Sequence, residues 1–209
     1  VTEATTGLDI VKLQLHVARG GRLTGAPPAV FGHAVEARLC AEDPEQGFVP
    51  SPGRIAMLRL PTGSGVRVDS GVREGDTIPA DFDSMIAKII AHGSNRHEAM
   101  ARLNRALSQT TVLVRGGTTN KSFLLDLLAR PEVRAGAVDT AWLDRLTTAD
   151  EHLPTRLADV ALVAAALDAS ELPAGLDRAA FLSWASRGRP QADTEIGREV
   201  ELRHGGHAC

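Results

Sequence analysis

Between residues 32 and 93 the apolar pattern of this chain repeats every second residue, while the segments on either side repeat at helical spacing. A period of two commits the middle of the chain to strands with one covered face. The clearest run puts His33, Val35, Ala37, Leu39 and Ala41 on one face and Ala34, Glu36, Arg38 and Cys40 on the other. Pro50-Ser51-Pro52-Gly53 is turn chemistry ahead of a strand over residues 54–60. Thr62-Gly63-Ser64-Gly65 then turns the chain into residues 66–69, which predicts that these two strands pair as a hairpin. A further apolar strand covers residues 85–91 and ends at His92-Gly93.

Helices flank this block. At the start, Thr6 is placed to cap a helix whose stripe is Leu8, Val11, Leu15 and Ala18, with Gly20-Gly21 as its stop. After residue 93, Asn95 and Glu98 have capping-box spacing, and Ala99, Leu103, Ala106 and Leu107 form the stripe behind them. Residues 112–114 predict one more strand. Thr119 is the expected cap of a helix carrying Phe123, Leu124, Leu127 and Leu128, and a last helical turn holds Trp142, Leu143 and Leu146. The expected class is α+β, an antiparallel sheet with helices on one side, over residues 1–146. Residues 147–155 are polar and read as a linker. Residues 156–209 read as a helical connector, with helices over 159–168 and through Phe181 and Trp184, and the start of a following domain in the alternating tail after Glu195.

Composition closes off several functions. A net charge of -3 with both signs dispersed leaves no basic footprint for nucleic acid, and 3% aromatic content without tyrosine supplies no stacking platform for bases. The longest apolar run, residues 160–167, falls far short of the ~20 residues that span a bilayer. Cys40 and Cys209 cannot make a disulfide framework, and reduced thiols suit a cytoplasmic protein.

Chemistry concentrates at Glu36-x-Arg38. Side chains two apart on a strand lie on one face, so a carboxylate can orient a guanidinium fork toward a planar oxyanion. A solvated surface ion pair accounts for the same spacing, and the residues alone leave both readings open. Asp81 and Asp83 are paired carboxylates that also suit a loop capping the next strand. His204, His207 and Cys209 have metal-ligand types but no fourth ligand. Gly63-Ser64-Gly65 lacks the Lys-Ser/Thr of a phosphate loop.

Several ordered blocks carry a more specific signal. Residues 32–44, Gly-His-Ala-Val-Glu-Ala-Arg-Leu-Cys-Ala-Glu-Asp-Pro, strongly resemble the signature of the biotin carboxylase C-terminal domain. The resemblance continues through Phe48-Val49-Pro50-Ser51-Pro52-Gly53-Arg54-Ile55, Gly65-Val66-Arg67-Val68-Asp69, Asp83-Ser84-Met85-Ile86-Ala87-Lys88 and Thr118-Thr119-Asn120-Lys121-Ser122-Phe123-Leu124. Val1-Thr2-Glu3 looks like the stretch just after the family's catalytic Arg-x-Gln-Val-Glu-His motif. Residues 156–209 resemble the connector of large single-chain actinobacterial-type acyl-CoA carboxylases.

The resemblance implies a ligase that uses MgATP to activate bicarbonate and places the carboxyl group on biotin. Arg38 is then expected beside bicarbonate and the biotin ureido oxygen, where a positioned cation stabilises developing negative charge; Glu36 is its expected orienter. Arg67 matches a position used at bacterial dimer interfaces, but Ser64 stands where an aromatic can sit, so self-association through this surface is expected to be weak. MgATP is expected on an ATP-grasp domain and biotin on a carrier domain, neither of them in this chain. A carboxyltransferase is expected to complete an enzyme of fatty acid metabolism. The chain alone is expected to be inactive. A docking module without catalysis, or the same lobe in pyruvate or urea carboxylase, is the alternative.

Overall fold

The computed structural model describes residues 1–149 and the backbone at residues 203–204 and 207–208. Two compact units divide the chain, Val1–Leu153 and Pro154–Cys209. In the first unit, α1 (Thr2–Thr6) stops at Gly7, whose φ of 71° is the left-handed conformation that ends a helix. Helix α2 (Ile10–Ala18) follows. The expected cap at Thr6 is therefore corrected: Asp9 caps α2, accepting from the Lys12 amide, and Thr6 belongs to the preceding helix. Asp9 wins because a carboxylate two bonds from the backbone accepts an orphan first-turn N–H while favouring the positive helix end.

The strands come next in chain order. They are β1 (His33–Cys40), the short ribbon β2 (Glu42–Asp43) and β3 (Val49–Pro50), β4 (Gly53–Arg59), β5 (Val66–Ser70), β6 (Thr77–Ile78) and β7 (Met85–Gly93). Helix α3 (Arg96–Gln109) leads into β8 (Thr111–Arg115), and α4 (Lys121–Ala129), α5 (Pro131–Ala135) and α6 (Trp142–Thr148) close the unit. In the second unit β9 (Arg203–His204) and β10 (His207–Ala208) pair antiparallel. The helices expected over 159–168 and through Trp184 lie outside the described residues.

One sheet has the order β1-β7-β5 and another the order β6-β4-β8, all antiparallel. The expected hairpin between residues 54–60 and 66–69 is corrected: β4 pairs with β6 and β8, and β5 pairs with β7. The turn at Gly63–Gly65 sends the chain from one sheet to the other. Residues 66 and 68 then lie beside the more apolar partner, β7, whose Ile89 and Ala91 are fully buried.

Register explains the layering. Val35 faces Ala91, which faces Val66; Ala37 faces Ile89, which faces Val68. Residues directly opposite share a face, so these six form one apolar surface. Helix α3 covers it with Met100, Leu103, Ala106 and Leu107, at the expected helical spacing. Each buried Met or Leu side chain among them stabilises the fold by roughly 1.5–3 kcal/mol. A second cluster packs Leu39, Ile55, Ile78, Ile86 and Val114 between the sheets. Asn95 caps α3 as the spacing predicts, its Oδ1 accepting from the Glu98 amide, while the reciprocal bond shifts by one residue, with Glu98 accepting from the Ser94 amide and hydroxyl in place of the Asn95 amide.

Entry to β1 depends on Gly32. Its φ is 67°, and a Cβ there would fall on the Gly93 carbonyl oxygen. Only glycine lets the chain turn in so close to the end of β7. No helix among the described residues is long and apolar enough to cross a membrane.

Candidate functional site

The face of the β1-β7-β5 sheet opposite α3 carries charge. Glu36 faces Ile90, which faces Arg67; Arg38 faces Lys88, which faces Asp69. Glu36 and Arg38 share this face, as the alternation predicted. Their ion pair runs from Arg38 Nε to Glu36 Oε1 at 3.5 Å, with Arg38 66% exposed and Glu36 24% exposed. That separation exceeds a charge-assisted hydrogen bond, so Glu36 biases the guanidinium without locking it. Such an exposed pair contributes ~0–1 kcal/mol to stability, too little to explain Arg38 as a fold element. No side-chain hydrogen bond from Arg38 forms among the described residues, and its fork is available to a ligand.

The backbone under Arg38 is held more firmly than its side chain. β1 is an edge strand, and its outward groups near residue 38 would be orphaned without a partner. Asn120, buried at 6% exposure, supplies three bonds. Its Oδ1 accepts from the Cys40 amide at 3.0 Å, its Nδ2 donates to the Arg38 carbonyl at 3.1 Å, and its own amide donates to the Cys40 carbonyl at 3.1 Å. A bulge between Leu39 and Cys40 falls at this clamp. Thr119, the expected cap of α4, is displaced by Asn120, which holds the N-cap position but spends its side chain on β1. The sequence reading missed this role.

An apolar cleft of about 530 Å³ opens along this edge, with Glu36 and Arg38 on its rim and Phe48, Phe123, Leu124 and Trp142 in its wall. Phe48 adopts φ 63°, rare for a bulky residue, and its ring meets Phe123 edge-on at 4.8 Å. The strained backbone thus places an aromatic ring in the wall of the cleft.

Other candidate residues separate from this arrangement. Arg67 donates to Glu3 at 2.7 Å and to Asp69 at 2.9 Å, so it staples the N-terminal segment to β5. Arg67 beside Glu3 holds that carboxyl below its ordinary range, assisted by the Ile10 amide. Burial pushes the Cys40 thiol up to about 11, and the negative charges of Glu42 and Asp83 add to the effect, so it is no nucleophile at neutral pH. Asp83 accepts from the Met85 amide, the loop-capping role that its sequence context allowed. Among the described residues no group of three or more His, Cys, Asp or Glu side chains is gathered to hold a metal ion.

The family profile described as the biotin carboxylase C-terminal domain matches residues 36–145, which include Glu36, Arg38, Lys88 and Asn120. The chain belongs to this family. Similar proteins include the biotin carboxylase of Pseudomonas aeruginosa, 39% identical over 154 residues, covering 73% of this chain and 34% of that protein. The biotin-dependent acyl-coenzyme A carboxylase alpha3 subunit of Mycobacterium leprae is 49% identical over 113 residues, 54% of this chain and 19% of that subunit. Among solved structures, the biotin carboxylase domain dimer of Hydrogenobacter thermophilus 2-oxoglutarate carboxylase, in complex with MgADP, ADP and bicarbonate, superimposes with a TM-score of 0.65. It is 34% identical and covers 70% of this chain and 32% of that one. The chain therefore spans about a third or less of the length of these relatives, which divide between different carboxylases.

Proposed function

We propose that this chain is the C-terminal lobe of a biotin carboxylase, presenting Arg38 to bicarbonate and to the ureido oxygen of biotin. The observation that carries this reading is the exposed guanidinium of Arg38, loosely paired through Nε with Glu36 and set on a clamped edge strand beside an apolar cleft. A planar ureido or carboxylate group fits that setting, because the fork offers paired donors and the cleft wall offers apolar surface. Biotin, when bound, supplies the nitrogen that accepts the carboxyl group. Arg38 orients the anionic oxygen beside it and stabilises the charge that grows there. Glu36 keeps the fork over the sheet.

The nucleotide and its magnesium belong to an ATP-grasp domain, biotin to a carrier domain, and the acyl acceptor to a carboxyltransferase. Within this scheme we favour an acyl-CoA carboxylase of the actinobacterial type, a ligase of fatty acid metabolism in the cytoplasm. The 49% identity to the Mycobacterium leprae acyl-coenzyme A carboxylase subunit supports that choice over a 2-oxoglutarate or pyruvate enzyme. The docking reading has its own observation, since Val11, Leu15 and Val17 of α2 are exposed. Docking and catalysis are compatible, with α2 as the surface that meets the rest of the enzyme.

The test is Arg38→Lys in the parent enzyme. An ammonium keeps the charge and loses the planar fork, so free-biotin carboxylation should fall by about a hundredfold, near the loss of one preorganised donor, with the KM for ATP unchanged. Wild-type turnover in Arg38→Lys would overturn the role of the fork.

A further inference from the structure

We infer that Lys88 is a second oxyanion-binding cation beside Arg38, an assignment that rests on the proposed site of Arg38. Lys88 lies directly across from Arg38 in the register of β7 against β1. The Arg38 carbonyl points outward to Asn120, so the two residues form a non-hydrogen-bonded antiparallel pair, with Cα atoms about 4.5 Å apart and side chains at their closest. Two cations placed opposite one another repel, and antiparallel sheets normally avoid the arrangement.

No carboxylate pairs directly with the Lys88 ammonium among the described residues. Its other cross-strand neighbour, Asp69, turns Oδ1 to Arg67 Nε at 2.9 Å. Glu36 approaches Arg38 Nε, not Lys88. Among the described residues Lys88 has no ion pair and no side-chain hydrogen bond, although it is half-buried in the centre of the sheet. A small anion between the guanidinium and the ammonium removes the conflict, since both cations then donate to it. The ligand class is a compact planar oxyanion carrying one to two negative charges, of which bicarbonate is the member that the proposed reaction uses.

Potassium bicarbonate is the probe, and the intact parent enzyme carrying this chain is the sample. Lys88→Met should raise the KM for bicarbonate by about tenfold, the loss of one charge-assisted hydrogen bond at a half-exposed position, while leaving the KM for ATP unchanged. Lys88→Arg should recover most of that loss. Urea unfolding of the 209-residue chain gives an independent reading: removing the repulsion should leave the midpoint of Lys88→Met equal to or above wild type, whereas a purely structural lysine would lower it. If Lys88→Met fails to accumulate, Lys88→Gln reads the same constants. A bicarbonate KM within twofold of wild type, with Arg38→Ala still impaired, overturns the assignment of Lys88 alone. Normal carboxylation in Arg38→Ala removes the site on which it rests.

Discussion

Asn120→Ala should destabilise the first unit by roughly 2–4 kcal/mol. The substitution removes the acceptor for the Cys40 amide and the donor for the Arg38 carbonyl, both on the edge of β1. A buried polar backbone group left unpaired costs about 1–3 kcal/mol. Two such groups give about 2–6 kcal/mol, and water entering from the adjacent cleft to pair one of them in part brings the upper figure down to about 4 kcal/mol. For a unit of this size each kcal/mol shifts the midpoint by about 2–4 °C, so thermal unfolding should move down by roughly 5–15 °C. Urea unfolding followed by far-UV circular dichroism measures the effect, with an unchanged m-value expected because the surface exposed on unfolding is the same. Thr119→Ala is the control; among the described residues its half-buried side chain makes no hydrogen bond, and it should stay within about 0.5 kcal/mol of wild type. If Asn120→Ala also stays within about 0.5 kcal/mol, the clamp does not hold β1 and the argument for a fixed Arg38 backbone fails.

Leu103→Ala, at a fully buried position of α3, should cost about 2–5 kcal/mol in the same urea experiment. The Cys40 thiol, pushed from an ordinary 9.0 up to about 11, stays neutral through pH 9, so iodoacetamide should label it only after unfolding. A raised acid pKa in the fold also means that this contribution is intact below pH 9 and is lost as pH rises toward 11. The depressed Glu3 carboxyl has the opposite sign: its tie to Arg67 holds above the ordinary glutamate range and is lost as pH falls through the lowered value. Hydrogen-exchange protection factors at residues 1–10, taken relative to the intrinsic rate at each pH, should therefore fall in acid, and Arg67→Glu should lower them at neutral pH. Light scattering of the chain should show weak or no self-association, and a stable dimer abolished by Arg67→Glu would contradict this.

The covered face of β1 was legible because a period-two pattern has only one solution for which side is buried: Val35 and Ala37 fall where alternation places them, whereas residues 85–91, apolar on both faces, were legible only as a strand. The stripe of α3 and its Asn95 cap were legible for the same reason at the helical period. Strand partners were not. Pairing between β5 and β7 depends on how the apolar surfaces of residues 66, 68, 89 and 91 fit across twenty or more intervening residues, and a glycine turn between β4 and β5 suits either a hairpin or a crossing. The placement of Arg38 beside Glu36 followed from spacing, but the choice between a surface pair and a binding fork did not. Three long-range features support the binding fork proposed for Arg38: the Asn120 clamp from residue 120, the cleft wall from α4 and α6, and Lys88 from another strand. Each is a contact between positions at least fifty residues apart, which local patterning does not encode.

The most direct measurement compares biotin carboxylation with ATP cleavage, side by side, in the parent enzyme carrying Arg38→Ala. Loss of a preorganised charged donor should raise the carboxylation barrier by ~3–4 kcal/mol, a fall in rate of about a hundredfold to a thousandfold. The KM for ATP should remain near wild type, because the site proposed for Arg38 takes the oxyanion and biotin and not the nucleotide. Unchanged biotin carboxylation in Arg38→Ala would reduce the Glu36–Arg38 pair to a solvated surface contact and contradict the account.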